Sequence, residues 1–140
     1  MAQIERKLGI WLDHSNAHLM DLTNNSISTT TVESTFSHTK KIETMEKSEQ
    51  LMHNKEQHEQ LAYYKVLEEI ILSYTNVILF GPTDAKTELY NLIKNNRQFE
   101  NIKIATLPAD KMTENQQHAF VKEYFETLDK DLYNSHYLTN

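Results

Sequence analysis

The chain has 140 residues, which is the size of one domain, and a formal net charge of −6 from 14 basic and 20 acidic residues. It contains no cysteine, which excludes disulfides and thiolate metal sites. The acidic balance argues against binding to bare duplex DNA, because neutralised phosphates supply most of that affinity. No apolar run approaches the roughly 18 residues of a membrane helix, and no signal peptide is visible, so we expect a cytoplasmic protein with no membrane partner.

Three short segments at the start of the chain are predicted to form an antiparallel meander. The first is the apolar run 8–12, the second covers residues 17–22, and the third is the β-branched stretch 26–34. Asp13, Ser15 and Asn16 favour a turn after the first strand, because their side chains bond their own backbone. Asn24 and Asn25 favour the second turn, since Asn tolerates positive φ.

A helix that ends near residue 74 is the next regular pattern. Six apolar residues fall on one face at helical spacing: Tyr63, Val66, Leu67, Ile70, Ile71 and Tyr74. The same register, followed backward, meets Met52 and Met45. The pattern therefore predicts a helix that extends some turns beyond the body of the domain.

The second half of the chain alternates strands and helices. Residues 77–80 are wholly apolar, as in a central strand, and Thr83 or Asp84 can cap the helix that follows. Residues 102–107 form a fifth strand, and Thr113 with Gln116 has the spacing of a capping box that opens the last helix. The apolar face of that helix ends at Leu128, and the polar tail is expected to be partly ordered.

The predicted order β-β-β-α-β-α-β-α defines an α/β fold. Three antiparallel strands followed by two βα units give a mixed five-stranded sheet with helices on its faces, and a right-handed crossover places the fourth strand beside the first. This is a ribonuclease-H-like arrangement. We expect a single domain over residues 1–128 and a tail over residues 129–140.

The segment VILFGPTDAKTEL, residues 77–89, resembles a stretch of the middle domain of the archaeal and eukaryotic class-1 peptide chain release factors and of Pelota, their ribosome-rescue relative. LGIWLDHSNAHLMDL, residues 8–22, is similar to the opening hairpin of that domain. Asp110-Lys111-Met112-Thr113 looks like a motif of a bacterial, single-domain branch of the family. The resemblance covers about residues 7–128, and it implies a translation-associated, release-factor-like domain.

One departure from the family bears directly on activity. The resemblance implies that the catalytic Gly-Gly-Gln tripeptide should lie between the third strand and the long helix, yet residues 34–57 contain no glycine. No catalytic residue is carried over, and we expect no cofactor. The resemblance therefore implies a non-catalytic protein with the ribosome or rRNA as its partner, acting in rescue, hibernation or quality control.

Candidate binding residues come from two places. Lys86 and Glu88 belong to the resembling motif, although a solvated helix start also explains them. Four lysines lie where the family carries its tip and could contact rRNA phosphates: Lys40, Lys41, Lys47 and Lys55. Glutamates alternate with these lysines, so a solvated helix with internal salt bridges is the competing interpretation.

Two further functions remain open at this stage. Asp13, Asp84 and Asp110 follow the first, fourth and fifth strands, and converging carboxylates could hold Mg²⁺ for a nuclease or another hydrolase. Backbone preferences at turns and helix starts explain the same aspartates. The histidines form no closed zinc pattern. The long polar helix could alternatively belong to a protein-interaction domain outside translation.

Overall fold

The structure is a computed structural model that describes residues 5–34 and 49–138. The elements in chain order are β1 (Lys7–Leu12), β2 (Asn16–Thr23), β3 (Ser26–Glu33), α1 (Glu49–Ile71), β4 (Asn76–Gly81), α2 (Ala85–Ile93), a 3-10 turn (Arg97–Phe99), β5 (Lys103–Pro108) and α3 (Glu114–Leu138). None of the described helices is long and apolar enough to cross a membrane.

The five strands form one mixed sheet in the order β3-β2-β1-β4-β5. β1 pairs antiparallel with β2, and β2 with β3, whereas β1–β4 and β4–β5 are parallel pairs. The predicted ribonuclease-H-like α/β fold is thereby confirmed, including the position of the fourth strand beside the first. All six residues of β4 are buried, as expected of a central strand covered on both faces.

A two-residue turn fixes the register of the β2–β3 hairpin. Asn24 and Asn25 adopt positive φ values of 52° and 62°, which a type I′ turn requires at both central positions. The flanking residues Thr23 and Ser26 pair directly across this turn.

Each face of the sheet carries its own hydrophobic core. On one face, α1 and α2 contribute Tyr64, Leu67, Leu89 and other residues, which pack on the strands at positions such as Leu79. On the opposite face α3 contributes two fully buried residues, Val121 and Phe125, over Trp11, Met20, Ile78 and Phe80. Neighbouring residues of a strand point to opposite faces, so Ile78 and Leu79 belong to different cores.

The two glycines of the chain, Gly9 and Gly81, both serve this packing. A Cβ on Gly9 would collide with Val121, so this glycine lets α3 approach β1. Gly81 has a φ of +151°, and a Cβ there would collide with the carbonyl oxygen of Leu12. Gly81 therefore permits the sharp exit from β4 beside the end of β1.

α1 extends past the sheet at its N-terminal end. The hydroxyl of Tyr63 donates to the carbonyl oxygen of Asp13, just beyond β1, at 3.0 Å. The helix begins earlier, at Glu49, and its rise of about 1.5 Å per residue places that start roughly 20 Å from Tyr63. The predicted extension beyond the body of the domain is confirmed back to Glu49, while Met45 lies outside the described residues.

The start of α3 has the capping box that the sequence predicts. The hydroxyl of Thr113 accepts from the amide of Gln116 at 3.2 Å, and the Gln116 side chain accepts from the amide of Thr113 at 2.9 Å. These two bonds are the predicted capping box. The helix continues beyond Leu128, the last position of its predicted apolar face, to Leu138.

Candidate functional site at the carboxyl edge of the sheet

Four elements meet where β1 and β4 end. The two strands are parallel neighbours, with Trp11 opposite Phe80, so their carboxyl ends lie side by side. The turn after β1 and the start of α2 therefore come together, and α1 passes over them on its way out of the domain. We call this region the carboxyl edge; its residues are Asp13, His14, Tyr63, Tyr64, Lys86 and Glu88.

Glu88 connects three of these elements through its carboxylate. Its Oε1 accepts from the Tyr64 hydroxyl at 2.8 Å, and its Oε2 lies 3.1 Å from Nε2 of His14. Burial of the carboxylate raises its pKa, but the hydrogen bonds from Tyr64 and His14, together with the charge of His14, hold the pKa of Glu88 below its ordinary value. Glu88 thus ties α1, α2 and the β1–β2 turn into one arrangement.

The adjacent tyrosines of α1 remain protonated donors. Burial, followed by the hydrogen bond and charge of Glu88, raises the pKa of Tyr64. Burial and the charge of Asp13 raise the pKa of Tyr63 in the same direction. Both hydroxyls therefore donate over the whole physiological pH range, and they fix the angle at which α1 leaves the sheet.

Lys86 closes the turn between β4 and α2. Its ammonium donates to the carbonyl oxygen of Thr83 at 2.6 Å and to that of Gly81 at 3.1 Å. The side chain is half-buried. Lys86 therefore satisfies carbonyls at the strand end, and its charge lies at the carboxyl edge.

The aspartates behave as turn and helix-start residues. Oδ1 of Asp13 accepts from the amides of Ser15 and Asn16 at 2.8 and 2.7 Å. At the start of α2 the cap comes from Thr83, whose hydroxyl accepts from the amide of Ala85 at 3.2 Å, while the Asp84 side chain makes no capping bond. Within residues 5–34 and 49–138 no His, Asp and Glu side chains form a group that could hold a metal, so Asp13, Asp84 and Asp110 do not converge as such a group.

The predicted lysine cluster lies partly within the described chain. Lys55 is an exposed residue of α1, in the segment that extends past the carboxyl edge. Lys40, Lys41 and Lys47 lie outside the described residues.

A second polar arrangement, which the sequence did not predict, lies beneath α3. His18 stacks on Trp11 with ring centroids 5.0 Å apart, and its Nδ1 lies 2.9 Å from Oε1 of Gln117. Gln117 is buried, and its amide donates to the carbonyl oxygen of Met112 at 3.2 Å. These partners are far apart in sequence, and nothing in the residue pattern pairs them.

For the Glu88 contacts the sequence did contain a signal, because two adjacent tyrosines on the inner face of a helix need acceptors for their hydroxyls.

Comparisons with known proteins bear on the fold. No protein-family model matches the chain, and no curated protein sequence matches it. The Pelota protein of Thermoplasma acidophilum has a TM-score of 0.54 at 15% identity, over 84% of this chain and 32% of its own. Pelota of Archaeoglobus fulgidus has a TM-score of 0.52 at 9% identity, over 94% of this chain and 39% of its own. An archaeal translation termination factor is matched at 14% identity and a TM-score of 0.43, over 95% of this chain and 42% of its own.

The chain therefore spans 32% and 39% of the lengths of the two Pelota proteins that it matches. At 9% and 15% identity the likeness establishes a fold shared with one part of those proteins.

Proposed function

We propose that this chain is a non-catalytic binding protein of the translation machinery, with the ribosome as its partner and the cytoplasm as its location. The observation that carries the proposal is the likeness in fold to two Pelota proteins, over 84% and 94% of the chain. The resemblance of residues 77–89 to the release-factor middle domain also supports it; that segment forms most of β4, the following turn and the first half of α2, at the carboxyl edge.

The roles of the motif residues favour binding over catalysis. Lys86 satisfies the carbonyl oxygens of the β4–α2 turn, and Glu88 holds Tyr64 and His14 in place. These contacts fix the base from which α1 extends. Glu88 thus acts on the proposed interface by holding α1 through Tyr64, whereas Lys86 stabilises the neighbouring β4–α2 turn.

The positions of the glycines support the expectation that this chain does not catalyse peptide release. Gly-Gly-Gln chemistry needs glycines in the interval that follows β3, and residues 34–57, which cover that interval and the first turns of α1, have none. The two glycines that exist, Gly9 and Gly81, allow close packing within the sheet layers. We expect no ester release from a ribosome-bound peptidyl-tRNA.

The proposed contact surface covers residues 34–60. With a net charge of −6, most of the surface repels RNA, so attraction must come from a local basic region. Lys55 lies on the part of α1 that extends from the domain, and Lys40, Lys41 and Lys47 precede it in sequence. Phosphate contacts from this cluster would be independent of base sequence.

Charge reversal tests this surface. We expect Lys40→Glu with Lys41→Glu to weaken co-sedimentation with ribosomes roughly tenfold or more at low salt, without lowering the melting temperature. The matched control is Lys94→Glu with Lys103→Glu. It reverses the charge of two exposed lysines near the amino-terminal ends of β4 and β5, away from the carboxyl edge. Equal binding by both double variants would contradict the proposed surface and leave the solvated-helix interpretation of the lysines.

A further inference from the structure

The two outermost strands of the sheet, β3 and β5, differ in how they are protected against pairing with a further strand. β5 begins with Lys103 and ends with Pro108, and both residue types are devices that keep an edge strand from pairing. β3 has the sequence SISTTTVE, with no Lys, Arg, Pro or Gly, and its single charge is the terminal Glu33. In the part of the chain that the structure describes, β3 pairs only with β2. Among the described residues, the outer side of β3 therefore carries none of these protective devices.

The hairpin geometry identifies the backbone groups of β3 that point away from β2. A two-residue turn makes its flanking pair, Thr23 and Ser26, a hydrogen-bonded pair, and such pairs alternate along an antiparallel ladder. The even-numbered residues of β3 therefore bond β2. The odd-numbered residues direct their N–H and C=O groups outward: Ile27, Thr29, Thr31 and Glu33.

We propose that β3 is a homodimerisation strand, which pairs antiparallel with β3 of a second copy and joins the two sheets. This inference is independent of the proposed ribosome binding. A two-fold axis perpendicular to the sheet keeps each face on its own side, so paired residues must share a face. With Thr29 on the axis, Ile27 lies opposite Thr31 of the second copy, and Glu33 extends past the turn at the other end of that strand.

The second copy fits this edge because the strand is complementary to itself. In the register with Thr29 on the axis no two like charges face each other, because Glu33, the one charged residue of β3, lies beyond the paired residues 27–31. Shifting the axis to Thr30 would instead place Glu33 against Ile27. The central residues 28–31 are exposed, and three of the four are β-branched, which suits cross-strand pairing.

The interface is small, which sets the expected affinity. One pair of short strands falls below the roughly 1,000 Å² of a stable specific interface, so we expect a weak dimer with a dissociation constant on the order of 10–100 μM. Sedimentation velocity over a concentration series up to about 1 mM would detect it. A chain that stays monomeric throughout that series would overturn the proposal.

Substitutions at the axis locate the contact. Thr29→Lys sets two cations opposite each other, and we expect it to weaken dimerisation roughly tenfold or more. Thr106→Lys is the matched control, since it places the same charge at an exposed position of β5. Thr29→Val controls for the 2.8 Å hydrogen bond between the Thr29 hydroxyl and Nε2 of His118, and it should leave the dimer intact. A dimer that is unaffected by Thr29→Lys, or equally weakened by Thr106→Lys, would also overturn the proposal.

Discussion

Ile78 and Leu79 are adjacent in β4 and are 1% and 0% exposed in opposite cores. We expect Ile78→Ala and Leu79→Ala each to lower the free energy of unfolding by about 2–4 kcal/mol, because each deletes buried aliphatic groups and leaves a cavity. Urea unfolding measures this, with the exposed Thr106→Ala as a control that should change stability by less than about 0.5 kcal/mol. A loss under about 1 kcal/mol at either buried position would contradict the two-sided burial of β4.

Glu88 should make stability depend on pH in the acidic range. Its folded pKa is lowered from 4.5, so the ionised carboxylate stabilises the native state above that value, and this stabilisation is lost as the pH falls through the folded pKa. The side chains of Glu88 and His14 are 48% and 42% exposed, so solvent screening limits the effect to less than about 1 kcal/mol.

Glu88→Gln should therefore lower the melting temperature at neutral pH, and the difference from the wild type should shrink below pH 4.5. Glu123→Gln, an exposed substitution on α3, is the control and should show no such convergence. If the gap between Glu88→Gln and the wild type stayed constant throughout the acidic range in which both proteins remain folded, the contribution of Glu88 would not be electrostatic.

At the scale of single elements, the start of α3 gives a local test. Thr113→Ala and Gln116→Ala each remove one bond of the capping box, and we expect each to destabilise the domain by about 1 kcal/mol. Asn115→Ala lies between them, is exposed and takes part in neither bond, so thermal unfolding should register little change. Equal effects at all three positions would indicate general fraying of the helix start.

The elements could be predicted from the sequence because their signals are local. The apolar run 77–80 identified β4, the spacing of Tyr63, Leu67 and Ile71 identified α1, and the Thr113–Gln116 spacing identified the cap. The end of α3 was harder to predict, since its backbone hydrogen bonds continue to Leu138 after the apolar face ends at Leu128.

The candidate site was less predictable because its contacts are long-range. A solvated helix start was the competing interpretation of Glu88; its side chain is half exposed, yet its carboxylate also bonds Tyr64 and His14, which lie 24 and 74 positions away. Periodicity places a residue on a face of its own element and carries no information on which other element that face meets. The resembling motif identified Lys86 and Glu88 as residues of interest, and only the fold revealed their partners.

The distribution of charge governs the proposed function of the whole molecule. A domain with 20 acidic and 14 basic residues can bind RNA only where lysines concentrate. The proposed cluster of Lys40, Lys41, Lys47 and Lys55 would be such a region; Lys55 lies in α1, and the other three lie outside the described residues. Binding through a few phosphate contacts must then weaken steeply with salt.

Co-sedimentation of the wild-type chain with ribosomes at two salt concentrations tests this account most directly. With three or four phosphate contacts, we predict that the affinity falls roughly 20- to 150-fold between about 50 and 200 mM salt. Binding that is present at low salt and follows this slope would support a ribosome-associated protein with a local basic surface. No co-sedimentation at the lower salt would contradict the proposed function, and binding that salt leaves unchanged would contradict the electrostatic contact.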